Sequence, residues 1–260
     1  MGWLCSFFIR ISLFRECGTL RHPHHRSERR LPFHHRGHRD VQAQSLGGAL
    51  VLELQATYVG TVETFPLTIP ALNGASAVNT LTIRPASGAT ALAISSANTT
   101  AATVDLNGAQ FVTIDGRPGG VGSNAGSGRG AASQLTIANT STSGVALRFI
   151  NEASGNTLRY TTLRGASLST IVFSTTTGAN GNDNNLIDHC DIRDGAGTPA
   201  NGIYSFGFNG TATQYNSSNT VSNCNFFNFH RLLHRQRNDH RRCRLASWHS
   251  SDGRSEYDCQ

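Results

Sequence analysis

One short pattern occurs three times in the middle of the chain: Asn156-Thr-Leu158, Asn185-Leu-Ile187 and Asn219-Thr-Val221. The copies start 29 and 34 residues apart. Related phrases follow one another in steps of 23 residues, at Val112-Thr-Ile114, Leu135-Thr-Ile137 and Leu158-Arg-Tyr160. A unit that recurs every ~20–50 residues is typical of stacked repeats, because no single unit can cover its own apolar face. Residues 111–228 therefore predict a solenoid with coils of about 22–25 residues, lengthened in places by insertions.

The composition around these repeats favours short strands. Gly, Ser, Thr, Asn and Ala dominate the middle of the chain, and no apolar stripe follows a helical period. Brief apolar pairs separated by turn residues occur instead, as in Leu81-Thr-Ile83, Leu92-Ala-Ile94 and Val104-Asp-Leu106. The 16-residue Gly-rich segment 117–132 predicts a loop projecting from one turn. The predicted fold class is all-β, a parallel β-helix over residues 45–229.

Aligning the three copies on their asparagines predicts which side chains stack. Position two holds Leu158, Ile187 and Val221, position five holds Thr161, Cys190 and Cys224, and position seven holds Leu163, Ile192 and Phe226. We expect these positions to face the core, with the cysteines as small buried residues. A disulfide or a metal pair is the alternative for the cysteines. The asparagines should take the left-handed conformation and hydrogen bond to one another between coils.

The charges divide the chain into three parts. All 22 basic residues are arginine; residues 1–40 hold 8 of them with 3 acidic residues, 230–260 hold 7 with 4, and 41–229 hold 7 with 9. The basic character therefore belongs to the flanks 1–44 and 230–260, which we expect to be poorly ordered. Nucleic-acid binding is not expected, because the repeat region itself is slightly acidic.

The residue types of the flanks can be explained by a shift of the reading frame. Runs of His, Arg and Leu codons that end in C, read one base later, give Thr, Ala and Ser codons, the residues that fill the repeats. We hypothesise that both flanks are frameshifted β-solenoid sequence. The alternative is a genuine pair of basic, His-rich tails that bind metal.

A resemblance to a known family is carried by three phrases: Thr80-Leu-Thr-Ile-Arg-Pro-Ala-Ser-Gly88, Phe111-Val-Thr-Ile-Asp-Gly116 and Asn139-Thr-Ser-Thr-Ser-Gly144. They resemble the right-handed parallel β-helix proteins of the pectin-lyase-like superfamily, above all the large secreted or surface proteins of Bacteroidetes-type bacteria, and the resemblance implies a right-handed helix over 45–229. The resemblance implies a secreted or cell-surface location and a larger parent chain with further coils or domains. The N-terminus is a poor signal peptide, because Arg10 interrupts its apolar run, which is also too short for a membrane span.

Enzymes of this superfamily cleave acidic polysaccharides with charged clusters on one sheet, which makes Asp188, Asp191 and Arg193 the catalytic candidates. Paired carboxylates can serve acid/base hydrolysis. The alternative is structural: Arg159 and Asp188 share position three of adjacent coils and should form a solvated ion pair. The stretch Gly178 to Leu186 matches a calcium nonapeptide in part, at Gly178, Gly181 and Asp183, and an Asn-rich turn is the alternative. Asp183 and Asp194 are the candidate Ca²⁺ ligands. No other cofactor is expected.

The function that these observations favour is a non-catalytic structural or adhesive β-helix module that contacts polysaccharide or cell-surface glycan. A polysaccharide lyase or glycoside hydrolase acting on acidic polysaccharide is the alternative, because a shared fold does not fix activity.

Overall fold

A computed structural model of the 260-residue chain describes residues 45–60, 63–122, 133–174, 178–206, 211–235 and 244–246. Within these ranges the chain forms strands and two short 3₁₀ turns, Pro118–Gly120 and Ala212–Gln214, and no α-helix. The strands are β1 (Leu50–Leu54), β2 (Leu67–Pro70), β3 (Leu81–Pro85), β4 (Leu92–Ser96), β5 (Val104–Asn107), β6 (Val112–Asp115), β7 (Leu135–Asn139), β8 (Leu147–Ile150), β9 (Thr157–Arg159), β10 (Thr162–Gly165), β11 (Ser169–Phe173), β12 (Leu186–Asp188), β13 (Asp191–Asp194), β14 (Asn201–Ser205), β15 (Thr220–Ser222), β16 (Asn225–Phe227), β17 (Arg231–Arg235) and β18 (Arg244–Ala246).

These strands form three sheets, and the paired strands are parallel. Sheet A contains β1, β3, β6, β9, β12, β15 and β18 in that order, sheet B runs from β2 through β5, β8, β11 and β14 to β17, and sheet C runs from β4 through β7, β10 and β13 to β16. From β3 onward the chain visits A, then C, then B, and begins again. Each circuit is one coil, so the predicted all-β parallel β-helix is confirmed.

The core is a set of aliphatic ladders that run along the helix axis. Leu158, Ile187 and Val221 are neighbours in sheet A, as the alignment predicted. Leu163, Ile192 and Phe226 are neighbours in sheet C, which confirms position seven. In both ladders the first two side chains are fully buried. Because side chains alternate across a strand, every second residue faces this interior and the others face outward.

The cysteine position is also confirmed. Thr161, Cys190 and Cys224 lie one residue before the C strands of three successive coils, and all three are buried. Both cysteines are free thiols.

The 23-residue step, in contrast, is not the length of a coil. Val112 and Leu135 belong to different sheets, A and C, and it is Leu158 that pairs beside Ile114 in sheet A. The prediction was wrong because strands of all three sheets carry similar apolar–Thr–apolar phrases. The 29- and 34-residue steps are true coils, since they relate β9, β12 and β15 within one sheet.

The asparagines stack as predicted but with a different backbone. The side-chain carbonyl of Asn185 accepts hydrogen bonds from the backbone and side-chain amides of Asn156, both at 3.0 Å. The left-handed residue is not the asparagine but the residue before it: Gly155, Asn184 and Ser218 have φ values of 67°, 56° and 56°. The preceding residue therefore makes the turn, and the asparagine satisfies the backbone groups that the turn leaves buried.

A second asparagine ladder runs beside the first and was not predicted. The Asn216 side-chain carbonyl accepts from the backbone and side-chain amides of Asn182, at 3.0 and 2.8 Å. The Asn182 carbonyl in turn accepts from the backbone of Ala153 at 3.0 Å. Two parallel amide ladders thus fix this corner of the solenoid.

Backbone pairing continues past residue 229. The strand β17 pairs with β14, and β18 pairs with β15. The sequence had indicated no strand in this tail, because its Arg- and His-rich text lacks apolar alternation. Assignment of 230–260 as a separate segment stays a prediction, as does that of 1–44, which lies outside the described residues together with most of the Gly-rich loop between β6 and β7.

Candidate functional site

The polar groups of interest lie at the corner where each A strand leads into a C strand. One residue with positive φ makes this corner in three successive coils: Tyr160, His189 and Asn223, at 50°, 53° and 51°. The last residue of each A strand stands just before it. Because the strands are in register, these side chains form a column on the outside of the solenoid, which we call the A–C corner.

Asp188 is the most connected acid of this corner. Its carboxylate accepts hydrogen bonds from the Ser222 hydroxyl at 2.7 Å and the Asn223 amide at 3.0 Å, and it contacts His189 Nδ1 at 2.7 Å. Burial raises the pKa of Asp188, but these hydrogen bonds outweigh burial and hold the pKa below its ordinary value. Asp188 is therefore an ionised group with fixed orientation.

His189 is oriented by Asp188. In the neutral ring, the contact with the carboxylate places the proton on Nδ1 and leaves the lone pair on Nε2. The ring stacks on Tyr160 with centroids 4.7 Å apart, and 28% of the side chain is exposed. A carboxylate that fixes the tautomer of a solvent-accessible imidazole is an arrangement suited to proton transfer.

Two arginines share one buried acid next to this pair. Asp115 accepts from Arg117 Nη2 at 2.8 Å and from Arg159 Nε at 2.9 Å, and its side chain is 1% exposed. Burial raises the pKa of Asp115, but the hydrogen bonds and positive charges of the two arginines outweigh burial, and the pKa lies below its ordinary value. The Arg117 guanidinium also lies over the Tyr160 ring, 4.2 Å from its centroid.

The predicted ion pair between Arg159 and Asp188 is not formed. The two residues are neighbours in register, as expected. However, the Arg159 side chain bonds to Asp115 of the previous coil, while Asp188 is bonded to groups of the following coil. Asp115 is already desolvated, so its charge offers a stronger partner to the guanidinium than the better hydrated Asp188 does.

Asp191, Arg193 and Asp194 lie in β13, on the C side of the corner. Asp191 accepts from the Asn225 amide at 2.8 Å, and the Arg193 guanidinium lies 5.2 Å from the centroid of Phe227. Arg193 Nε is 3.6 Å from the Asp194 carboxylate. Asp188, Asp191 and Arg193 each have separate partners, and none of these contacts joins the three into one constellation.

Asp183 has a structural environment. Its carboxylate accepts from the backbone and hydroxyl of Ser217, at 2.6 and 3.0 Å. Gly181 lies so close to the carbonyl of Tyr215 that a Cβ atom would be 2.1 Å from it. In the part of the chain that the structure describes, no three His, Cys, Asp or Glu side chains are grouped to hold a metal ion. Ca²⁺ binding by Asp183 and Asp194 remains a prediction.

A shallow open groove of about 360 Å³ lies on the outer face of sheet C. Its lining consists of small and polar residues with one charged side chain: Thr136, Ala138, Asn139, Thr140, Arg164, Gly195 and Ala196. Arg164 pairs in register with Arg193 on the next strand. The Arg164 side chain lines the groove, whereas the Arg193 guanidinium lies at Phe227 on the strand beyond.

The sequence did not indicate Asp115, Arg117 or Tyr160 as parts of the corner. The coil of Asp115 and Arg117 contains the Gly-rich loop, so 44 residues separate Asp115 from Arg159. The available signal was the repeated acid or arginine after each inward aliphatic residue of sheet A: Glu53, Arg84, Asp115, Arg159 and Asp188 alternate in sign from coil to coil.

Comparisons of the chain with protein-family models, with characterised proteins and with solved structures found no match. Among the described residues, no helix is long and apolar enough to cross a membrane.

Proposed function

We propose that this chain is a non-catalytic structural or adhesive β-helix module of a secreted or cell-surface bacterial protein. One observation carries the proposal: three acidic side chains of the solenoid are used in bonds between coils. Asp115, Asp183 and Asp188 all bond to side chains or backbone of a neighbouring coil. Polar groups that bond to a neighbouring coil stabilise the solenoid as a scaffold.

The parallel β-helix is consistent with a pectin-lyase-like protein of the Bacteroidetes type, a resemblance that rests on the repeated phrases of the sequence. A secreted or surface location and a larger parent chain are part of the proposal for the same reason. Stacked coils suit such a parent because each added coil extends the ladders without altering those before it.

The proposed partner is polysaccharide or cell-surface glycan, bound along the outer face of sheet C. Arg164 and Arg193 offer adjacent positive charges, and Phe227 extends the surface by one strand. Guanidinium groups bind carboxylates in a bidentate manner, so an acidic sugar chain is the favoured ligand. Arg164 lines the solvent-open groove on this face.

A second function is favoured by the Asp188–His189 pair. An imidazole held by a carboxylate, with Nε2 turned away from that carboxylate, could take a proton from an acidic polysaccharide or give one to a leaving group. The second candidate is therefore a polysaccharide lyase or glycoside hydrolase in which Asp188 positions His189.

Incubation of the chain with polygalacturonate and with alginate, with and without Ca²⁺, separates the two functions. Cleavage is followed by unsaturated product ends and by new reducing ends, and binding is followed by affinity electrophoresis. Saturable binding without cleavage is the expected result. Cleavage that disappears in His189→Ala and in Asp188→Ala/Asp191→Ala, but persists in Asn180→Ala, would replace the first function by the second. Asn180 is exposed and serves as the surface control.

A further inference from the structure

The two buried cysteines lie on adjacent coils at equivalent positions. Cys190 precedes β13 by one residue and Cys224 precedes β16 by one residue, and Asp191 and Asn225 are direct partners in the ladder. Neighbouring strands are about 4.8 Å apart. A disulfide needs Cα atoms about 4.4–6.8 Å apart, so the coil spacing falls within the permitted range.

The two thiols extend in the same direction along the helix axis, so that the Cys224 thiol lies against the coil of Cys190. The backbone amide of Cys190 donates to Cys224 Sγ at 3.4 Å. The remaining thiol contacts are to backbone carbonyls: Cys190 to Leu158 and Asp188, at 3.6 and 3.4 Å, and Cys224 to Ile187 and Ser222, at 3.6 and 3.1 Å. Thiols are weak donors, so oxidation gives up little hydrogen bonding.

We propose that Cys190 and Cys224 form a disulfide that joins two successive coils when the chain folds in the presence of a small-molecule disulfide such as glutathione disulfide. The proposal is independent of the function proposed above. It identifies a covalent modification site inside the solenoid, where the loop closed by the bond is a single coil.

The reaction proceeds by two exchanges. The Cys190 thiolate attacks glutathione disulfide and releases one glutathione thiolate, which leaves a mixed disulfide on Cys190. The Cys224 thiolate then attacks the Cys190 sulfur and releases the second glutathione thiolate. The protein loses two electrons and two protons, and one glutathione disulfide becomes two molecules of glutathione.

The bond is expected to form before the last coils close. Both cysteines are buried in the folded chain, and burial raises the pKa of Cys190. A buried thiol with a raised pKa is a poor nucleophile. The exchanges are therefore assigned to folding, before the thiols are buried, and the pairing of β12 with β15 is the contact that brings the two coils together.

Peptide mapping tests the proposal on the full chain. The protein is refolded with glutathione disulfide, alkylated without reduction and digested with trypsin, which cuts this chain only after arginine because it contains no lysine. Cleavage at Arg164, Arg193 and Arg231 places Cys190 and Cys224 on two peptides, each with no other cysteine. We expect these two peptides, 165–193 and 194–231, to be linked.

A second measurement compares the urea unfolding midpoints of the oxidised and reduced protein. The midpoint should be higher in the oxidised sample, because the cross-link restricts the unfolded chain. The difference should vanish in Cys190→Ser/Cys224→Ser, which keeps the other four cysteines. Recovery of both peptides in alkylated form, or either one linked to Cys5, Cys17, Cys243 or Cys259, would overturn the proposal.

Discussion

The side-chain carbonyl of Asn219 accepts two hydrogen bonds from Asn185, one from its backbone amide and one from its side-chain amide, each 3.0 Å long. The side-chain carbonyl of Asn185 accepts the same two hydrogen bonds from Asn156 one coil earlier. At this corner a side-chain carbonyl thus takes the place of a backbone carbonyl as the partner of a backbone amide. The stability of the corner should depend on it.

Asn185→Ala should lower the free energy of unfolding by at least about 2 kcal/mol, because it leaves a buried backbone amide and a buried carbonyl without partners. Asn180→Ala, at an exposed asparagine of the same coil, should change it by less than about 0.5 kcal/mol. Urea unfolding followed by circular dichroism gives both values. Equal losses in the two variants would contradict the ladder's role.

Ile187→Asp should prevent folding, because the substitution places an unpaired charge at a fully buried position between coils. Asp188→Ala, at the next residue and facing outward, should cost about 1 kcal/mol, as expected for a partly exposed carboxylate. Expression, solubility and circular dichroism of the pair measure the difference. Similar damage from both would refute the inward and outward assignment.

Asp115→Ala should cost about 2–3 kcal/mol, because its removal leaves two arginines without their shared, nearly buried partner. The matched control is Glu53→Ala, which breaks a comparable pair with Arg84 at a site where the acid is 31% exposed, and it should cost under about 1 kcal/mol. Urea midpoints of the two variants decide the comparison.

Asp115 and Asp188 should make the stability of the fold depend on pH. Asp115 and Asp188 have pKa values below the ordinary 3.8, so the stability they contribute is fully present above that value and is lost as pH falls through their folded-state pKa values. Urea midpoints should therefore fall in acid. Asp188→Asn should flatten the fall, and an unchanged acid dependence would show that other carboxylates cause it.

Glu63 should have the opposite effect on stability, which it should lower as the pH rises. Burial raises its pKa above the ordinary 4.5, although contact with the Tyr58 hydroxyl lowers it in part. Both carboxylate oxygens are buried without a well-aligned hydrogen bond in the described part of the chain. A raised folded-state pKa means that stability is lost as pH rises through it, so Glu63→Gln should raise the urea midpoint at neutral pH and change it little in mild acid.

The sequence predicted the ladders well where a coil is short. Leu158, Ile187 and Val221 could be aligned because spacing alone places inward side chains of adjacent coils in one row. The second ladder, Asn182 with Asn216, could have been found too, since each of these asparagines precedes a ladder asparagine by three residues.

The choice of partner on the outer face could not be predicted. Strand register makes Arg159 equally a neighbour of Asp115 and of Asp188, and only the burial of Asp115 decides between them. The arginines follow a common direction: Arg84 bonds to Glu53 and Arg148 to Asp105, in each case an acid one coil earlier. Such preferences arise from side-chain geometry and desolvation, which residue spacing does not encode.

The junction between β6 and β7 accommodates extra residues without loss of strand register, which bears on how the sequence can evolve. The coil that contains it has 44 residues between Asp115 and Arg159, and the coil after it has 29 between Asn156 and Asn185, yet both keep their neighbours in register. Hydrogen bonds between neighbouring coils, which run along the helix axis, form whatever the number of residues within each coil. Insertions and deletions at this corner therefore need not disturb folding, and a lineage could gain or lose a whole loop there while inheriting the scaffold unchanged.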